Sequence, residues 1–508
     1  MTTANTCIIL AIAVYLIGMI VIGYLNSRST GSSAEFYLGG RRLGPVVTAL
    51  STEASDMSAW LLMGVPGLAL FCGVAEASWT AIGLAAGTYL NWLFVARRLR
   101  SYSAKLDAIT VPDFLSRRFR DNTKLIESIG AIMIVIFFVP YTASGFVACG
   151  KLFNNMFGWD YVTTMVVSAV VIVAYCTMGG FMAASITSLI QSLVMTFALI
   201  VVLLFGINAA GGWSAVVENA KTVPGYLSLF ANTTIESTSP GVYDGITIVS
   251  TLAWGLGYFG MPHVLIHFMA AKDERILKTS RRIATIWVVI SLSVAIIIGL
   301  VGFAMVKANV LSAFASSSEA ESVLVRTAAL MGQKGILFAV IGGVILAGIL
   351  SATMSTADVQ LLAAASGVTQ NLLQDVFGVK LSDRKNLLVA RLAVIGIAVI
   401  ALFFAMDPNS SVFRVVSFAW AGFGATFGPI MLFALFWKRT NKYGAIAGML
   451  SGGVTIFLWK FLVRPLGGAW NIYELLPAFL VACVFIIVFS LITKAPDEEI
   501  VEEFESVA

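Results

Sequence analysis

A chain of 508 residues that is 59% hydrophobic and only 12% charged, with a mean hydropathy of +0.92, is excluded from the ordinary soluble class, in which about a quarter of residues are charged. Its formal charge of +5 comes from Lys and Arg in short loops between apolar runs, and without a continuous basic face it says little for nucleic acid, which is not expected as a partner. Five scattered cysteines with no CxxC pair give neither a disulfide framework nor a metal cluster.

Apolar runs long enough to span a ~30 Å hydrocarbon core are centred near residues 17, 57, 86, 138, 169, 198, 257, 293, 350, 396, 425, 453 and 483. They predict an all-α integral membrane protein with about 13 transmembrane helices in a single domain over 1–508. The first run, MTTANTCIILAIAVYLIGMIVIGY, lacks a basic n-region and a cleavage signal, so 7–27 is expected to stay as an extra first helix. Basic residues crowd the loop after span 3 (Arg97, Arg98, Arg100, Lys105, Arg117, Arg118, Arg120, Lys124). The loops after spans 1 (Arg28, Arg41, Arg42), 7 (Lys272, Arg275, Lys278, Arg281, Arg282), 9 (Lys380, Arg384, Lys385) and 11 (Lys438, Arg439, Lys442) agree. By the positive-inside rule these are cytoplasmic, the N-terminus lies outside, and the acidic tail 494–508 is a solvated cytoplasmic end.

Span 2, LGPVVTALSTEASDMSAWLLMGVPGLALF, carries Ser51, Thr52, Glu53, Ser55, Asp56 and Ser58 inside its apolar run. A carboxylate at bilayer depth costs at least ~2.5–3.5 kcal/mol on insertion scales, which calls for a partner, a cavity or an ion. Two readings follow: a structural polar contact to another helix, or a broken helix whose freed carbonyls and hydroxyls hold a cation. The long polar connection over 209–243 is expected outside, as a gate or a connector.

Span 7, TLAWGLGYFGMPHVLIHFM, packs Gly255, Gly257, Gly260 and Pro262 into one stretch, and irregular backbone at that depth is tolerated only where it lines a cavity. Spans 2–6 and 7–11 enter the membrane in opposite senses, each set opening on a broken helix, as inverted repeats require. The boundaries are 43–208 for repeat 1, 244–437 for repeat 2 and 443–493 for two extra helices. The literal GxGxxG at Gly255, Gly257 and Gly260 lacks the strand, helix and downstream acid of a dinucleotide site. His263 and His267 sit four apart, with metal-binding spacing but no third ligand, and read as packing or gating near the cytoplasmic end. Span 9, GGVILAGILSATMSTADVQLLAAA, offers Ser351, Thr353, Ser355, Thr356 and Asp358, either as glue between helices or as hard oxygen ligands for an alkali cation. Mid-span Trp60, Tyr141, Trp254, Tyr258 and Phe259 are read as packing or as walls of a solute pocket.

Six stretches resemble the sodium/solute symporter family, most closely its sodium/proline branch: YLGGRRLGPVVTALS (Tyr37 to Ser51), ASDMSAWLLMG (Ala54 to Gly64), YTASG (Tyr141 to Gly145), WGLGYFGMPH (Trp254 to His263), MSTADVQLL (Met354 to Leu362) and FAWAGFGATFGP (Phe418 to Pro429). The resemblance implies a leucine-transporter-type core, a 5+5 inverted repeat. It implies a sodium site made by the carbonyls of Ala54, Met57 and Ala352 and the hydroxyls of Ser355 and Thr356, with Asp56 needed for coupling and Arg41 gating at the cytoplasmic mouth. It places solute binding at Trp60, Tyr141, Trp254, Tyr258 and Pro262. Three departures stand out. Met261 replaces the amide of the branch's GQPH. Ser188 stands where relatives carry an Asp on span 6, while Asp358 stands where they carry a hydroxyl, so a second-cation carboxylate has changed helices. Glu53 replaces a small residue, and fits a proton-titratable group, a partner for a cationic solute, or a carboxylate turned toward the cytoplasm.

The expectation is a non-enzymatic symporter of the plasma membrane, working as a monomer in lipid, with Na+ as the co-transported ion and a small amino acid, L-proline foremost, as the solute. The alternative is a proton- or sodium-coupled carrier of a different amino acid or small organic solute.

Overall fold

The computed structural model describes residues 2–27, 33–178, 180–379 and 381–507, so Arg28 and Lys380, used above for orientation, lie outside the described residues, as does the side chain of Arg384. Among the described residues, ten helices are long and apolar enough to cross a membrane. They include α1 (Thr3–Ser27), an interrupted span made of α2 (Pro45–Ala59) and α3 (Val65–Cys72), α7 (Leu125–Phe157), α9 (Phe181–Ala209), α12 (Leu277–Lys307) and α14 (Ile336–Ser366). After these come α15 (Asp383–Phe404), α16 (Val412–Phe436), α17 (Lys442–Leu458) and α18 (Leu475–Ile492). The other expected spans fall on α4 (Val74–Leu90) with its charged continuation α5 (Ala96–Lys105), on α8 (Tyr161–Met178), and on α10 (Gly245–Leu252) with α11 (Pro262–Ala270). Two shorter helices, α6 (Val111–Arg118) and α13 (Val323–Gly332), lie between spans.

Lipid accounts for the outer surface: Leu10, Val14 and Ile17 of α1 are exposed, as are Leu388, Leu392 and Val399 of α15, an arrangement that only an apolar solvent favours. The inner helices are the reverse. Every residue of α14 from Ile345 to Ser366 is buried, and this helix packs against α1, α2, α7 and α9. The core therefore sits around α2 and α14, which places polar residues of both helices out of reach of lipid.

Both interruptions are built from local chemistry. Pro45 at the first turn of α2 suits the missing N–H there, and the helix runs until Ser58, whose backbone turns to φ 48° and ψ −169°. That is a strained conformation for a residue with a Cβ. The Ser58 hydroxyl accepts the Trp60 N–H at 3.1 Å, and a wide turn over Trp60–Gly64 restarts the helix. In the second span α10 tightens into a 3-10 stretch, Ala253–Gly260. Met261 is then extended, φ −75° and ψ 108°, as the residue before a proline should be, and Pro262 opens α11. The glycines here answer to close approach. A Cβ on Gly255 would lie 2.2 Å from the Gly83 carbonyl oxygen of α4, and one on Gly257 would lie 1.9 Å from Nε1 of Trp420 on α16. The GxGxxG is thus a packing motif.

The connection over 209–243 folds back on the end of α3. Tyr226 donates its hydroxyl to the carbonyls of Ala69 (3.0 Å) and Leu70 (2.6 Å), and Ile235 N–H reaches the Phe71 carbonyl at 2.9 Å. The tail departs from expectation. It forms a helix, α19 (Glu498–Glu505), that buries Ile500 and Phe504. Arg120 pairs with Glu499, Lys438 pairs with Glu505 at 2.9 Å, and Arg98 and Arg118 lie 4.7 and 5.0 Å from the Phe504 ring. A charge run reads as solvated only until a complementary basic surface is folded opposite it.

Candidate functional site

The breaks in the two spans meet at Asp56. Its carboxylate is buried, with Oδ2 accepting the Tyr258 hydroxyl at 2.7 Å from the second break, and its main-chain oxygen accepts the Tyr141 hydroxyl at 2.8 Å from α7. Oδ1 has no hydrogen-bond partner among the described residues and lies 3.6 Å from His263 Nε2. His263 is therefore a neighbour of the buried acid, deeper than the cytoplasmic position expected for it, because Pro262 restarts the helix directly beside the break. His267, one turn on, donates Nδ1–H to the His263 carbonyl at 2.6 Å, which fixes its tautomer.

On the opposite face of α2 the expected sodium ligands converge in part. The Ser355 hydroxyl of α14 reaches the Ala54 carbonyl at 2.8 Å and the Ala352 carbonyl at 3.1 Å. Thr356, beside it, keeps a buried hydroxyl with no partner among the described residues. Met57 presents its carbonyl at the break, where it accepts the Trp60 N–H. Hydroxyls and carbonyls of two helices, one of them interrupted, are a hard-oxygen donor set of the kind alkali cations take.

The remaining acids have separate surroundings. Glu53 is fully buried; Oε1 accepts the Trp92 indole N–H at 3.1 Å and Oε2 has no partner among the described residues. Asp358 is buried, with Oδ1 accepting the Cys176 thiol at 2.6 Å, and it borders a cavity of about 10 Å³ with Tyr175, Ala183 and Leu362. Ser188, on α9, has a buried hydroxyl without a partner among the described residues.

Asp56, Trp60, Tyr141 and Trp254 line a second cavity of about 10 Å³, together with Met57, Leu84, Val416 and Trp420. That is room for a single water, so the pocket is contracted. Tyr258, Met261 and Pro262 do not line it: all three are buried in the core, and Tyr258 reaches the cavity's wall through its bond to Asp56. Trp420 was missed by sequence reasoning: it stands inside FAWAGFGATFGP with no interruption to flag it, yet its indole donates to the Trp254 carbonyl at 2.8 Å and crosses the Tyr258 ring edge-on at 5.0 Å.

Both routes out are shut. On one side Phe413 lies 5.7 Å from Trp60 and 5.5 Å from Trp254, and Tyr473 stacks on Trp254 at 5.2 Å. Glu321 fastens this layer by accepting the N–H groups of Val412 (3.0 Å) and Phe413 (3.1 Å) and pairing with buried Lys151 at 2.8 Å. On the other, Arg41 ties the segment before α2 to α11, to α5 and to the turn after α5, donating to the carbonyls of Met269 (2.7 Å), Ser103 (3.0 Å) and Ala108 (2.8 Å). With the cavity beside Asp56 contracted to about 10 Å³, the structure is a closed form.

Comparison with known proteins places this geometry. The profile of the Sodium:solute symporter family matches residues 36–452. The chain is 41% identical over 503 residues to a sodium/proline symporter of Haemophilus influenzae, covering 98% of this chain and 97% of that one. It is 39% identical over 492 residues to the osmoregulated proline transporter OpuE of Bacillus subtilis, covering 96% and 95%. Among solved structures, a Na+-coupled sialic acid symporter in a substrate-bound outward-open state superposes with a TM-score of 0.78 at 16% identity, covering 97% of this chain and 99% of that one. Mhp1, a nucleobase-cation-symport-1 family transporter, superposes with a TM-score of 0.55 at 15% identity, covering 94% and 99%. The structural likenesses show the fold, an all-α membrane bundle of the leucine-transporter type. With a family match across most of its length and relatives near 40% identity end to end, the chain belongs to the sodium:solute symporter family.

Proposed function

We propose that this chain is a sodium-coupled symporter that imports a small amino acid, L-proline foremost, across the plasma membrane without making or breaking a covalent bond. The observation that carries the reading is the meeting of the two helix interruptions at Asp56, with the Ala54 carbonyl held by Ser355 on the far side of the same helix turn. The full-length similarity to proteins named sodium/proline symporters supports proline as the solute. Sodium is held by the carbonyls of Ala54, Met57 and Ala352 and by Ser355 and Thr356. Asp56 couples the ion to the solute, Asp358 with Ser188 marks a second cation position, and Glu53 belongs to the same coupling region. Trp60, Tyr141, Trp254 and Tyr258 form the solute walls, with Met261 and Pro262 shaping the break behind them. The two repeats, 43–208 and 244–437, rock about this site. Thirteen crossings put the N-terminus outside and the tail inside, and the carrier works as a monomer.

Purified protein in proteoliposomes tests this directly. A sodium gradient should drive accumulation of labelled proline, and unlabelled proline should compete better than other amino acids. Accumulation driven by an imposed proton gradient in sodium-free buffer, or a preference for a different amino acid, would overturn the assignment.

A further inference from the structure

A cavity of about 710 Å³ lies where α4 runs on into α5 beside the start of α12, against which α4 packs. Its wall carries Arg97 on one side and Arg275, Lys278 and Arg281 on the other, with Asp273 and Glu274 as its acids. Both carboxylates are already engaged. Asp273 Oδ1 accepts the N–H groups of Arg275 (2.8 Å) and Ile276 (3.3 Å) at the head of α12, and Glu274 pairs with Arg97 at 3.0 Å. The Ser101 hydroxyl, with Arg97, holds Glu274 below the usual carboxylate range. Arg275, Lys278 and Arg281 pair with no carboxylate and donate no side-chain hydrogen bond among the described residues.

Two of those three cations are set in place by the helix. Lys278 and Arg281 stand three apart on α12 and so share a face. Arg281 is held over the Tyr89 ring of α4 at 5.3 Å, and its Nε is buried without a partner among the described residues. A buried donor without a bond costs free energy that an anion would recover. Lipid borders the same place. Leu90 and Phe94 on the α4 side, and Ile286 and Val289 on α12, are exposed apolar side chains, the nearer of the latter pair about 8 Å along the helix from Arg281. Cations beside a wall that faces hydrocarbon suit a molecule with a phosphate at one end and acyl chains at the other.

We propose that this cavity binds the headgroup of an anionic phospholipid, with its phosphate at Lys278 and Arg281, Arg275 at the rim, and its acyl chains along Leu90, Phe94, Ile286 and Val289. A free phosphate would satisfy the cations and leave the apolar wall uncovered. A zwitterionic lipid would bring its own ammonium group against three unpaired positive charges. The occupant is therefore a lipid of net negative charge, bridging α4 and α12. It is neither the solute nor the driving ion, and the residues that hold it lie outside the site at Asp56, so the inference stands whichever solute is carried.

Native mass spectrometry of the full-length protein in detergent, titrated with phosphatidylglycerol or with phosphatidylcholine of the same chains, tests this without any solute. The wild type should retain one phosphatidylglycerol in preference to phosphatidylcholine. Lys278→Gln combined with Arg281→Gln should weaken that retention roughly 30-fold, the loss of two charged contacts at a membrane surface. Lys272→Gln combined with Arg282→Gln, an equal loss of charge at exposed neighbours off the cavity, should leave it unchanged. Lys278→Gln alone changes an exposed side chain that makes no bond among the described residues; it should weaken retention about fivefold, and it decides the matter if the pair lowers the stability of the lipid-free protein. Equal retention of the two lipids, equal losses in the two pairs, or displacement of the lipid by glycerol 3-phosphate at matching concentration would each overturn the proposal, the last by revealing an anion site that needs no acyl chain.

Discussion

Replacing Thr356 by valine removes one hydroxyl and keeps the shape of the side chain. In the closed form that hydroxyl is buried without a hydrogen-bond partner among the described residues, so its loss breaks no hydrogen bond among them. An unpartnered buried hydroxyl carries a desolvation cost of ~1–3 kcal/mol, so sodium-free Thr356→Val should be at least as stable as the wild type. If Thr356 Oγ1 is a sodium ligand, however, the bound ion loses a charge-assisted contact of ~1.5–3 kcal/mol, which corresponds to a tenfold to ~150-fold weaker site. A ligand at about 100 times its Kd stabilises by ~2.7 kcal/mol, and a tenfold weaker site leaves ~1.4 kcal/mol of that. The measurement is thermal unfolding of purified protein in nanodiscs, titrated with sodium against choline at fixed ionic strength. Unchanged stability without sodium, together with a shrunken sodium response, is the expected pair. A sodium response equal to that of the wild type would remove Thr356 from the site. Ser355→Ala cannot make this separation, because the Ser355 hydroxyl also joins α14 to the Ala54 carbonyl of α2.

Gly257→Ala places a methyl 1.9 Å from the Trp420 indole nitrogen, and the ring cannot retreat without losing its bond to the Trp254 carbonyl. Overpacking of ~1–3 kcal/mol should appear as lower thermal stability, with solute affinity in calorimetry falling more than the sodium response; equal losses of both would mean the change is only structural. Phe504→Ala removes the ring that Arg98 and Arg118 cover, roughly 2 kcal/mol of apolar burial. Hydrogen exchange over 498–505 should accelerate, and further with added salt as the Arg120–Glu499 and Lys438–Glu505 pairs are screened; protection that persists at high salt would refute a docked tail.

The legible part of this fold was its interruptions. Polar residues between 51 and 58, and Gly255, Gly257, Gly260 and Pro262, mark where a membrane helix cannot continue, because sequence reports each backbone segment's own preference. What arrives from elsewhere was not legible. Nothing in the sequence near Asp56 announces that Tyr258 will bond it or that His263 will stand 3.6 Å away. Trp420 lies in an unbroken helix and joins the pocket only because Gly257 lets it approach. Asp358 accepts the thiol of Cys176 from α8, a pairing between helices that no local pattern encodes. The tail departs from its reading for the same reason: its acids look solvated until Arg120 and Lys438 are folded against them.

The position of the α2 break suggests how two sites share one event. Ala54, Asp56 and Ser58 occupy little more than a turn. The Ala54 carbonyl faces Ser355 on α14, the Asp56 side chain faces Tyr258 at the second break, the Asp56 carbonyl receives Tyr141 from α7, and Ser58 is the strained residue where the helix ends. A cation bound between Ala54 and Ser355 requires the Ser355 proton to turn away, which exchanges the hydrogen bond closing α14 on α2 for an ion held by both. Because Asp56 is only two residues along and two tyrosines grip it, α2 cannot shift at Ala54 without moving Tyr141 and the break at Tyr258. Tyr141, with Asp56, Trp60 and Trp254, lines the contracted cavity, and Tyr258 holds the Asp56 carboxylate beside it. An ion with different affinity for the two arrangements would therefore shift the population of open pockets, and a solute holding those aromatic walls apart would strengthen ion binding by the same factor.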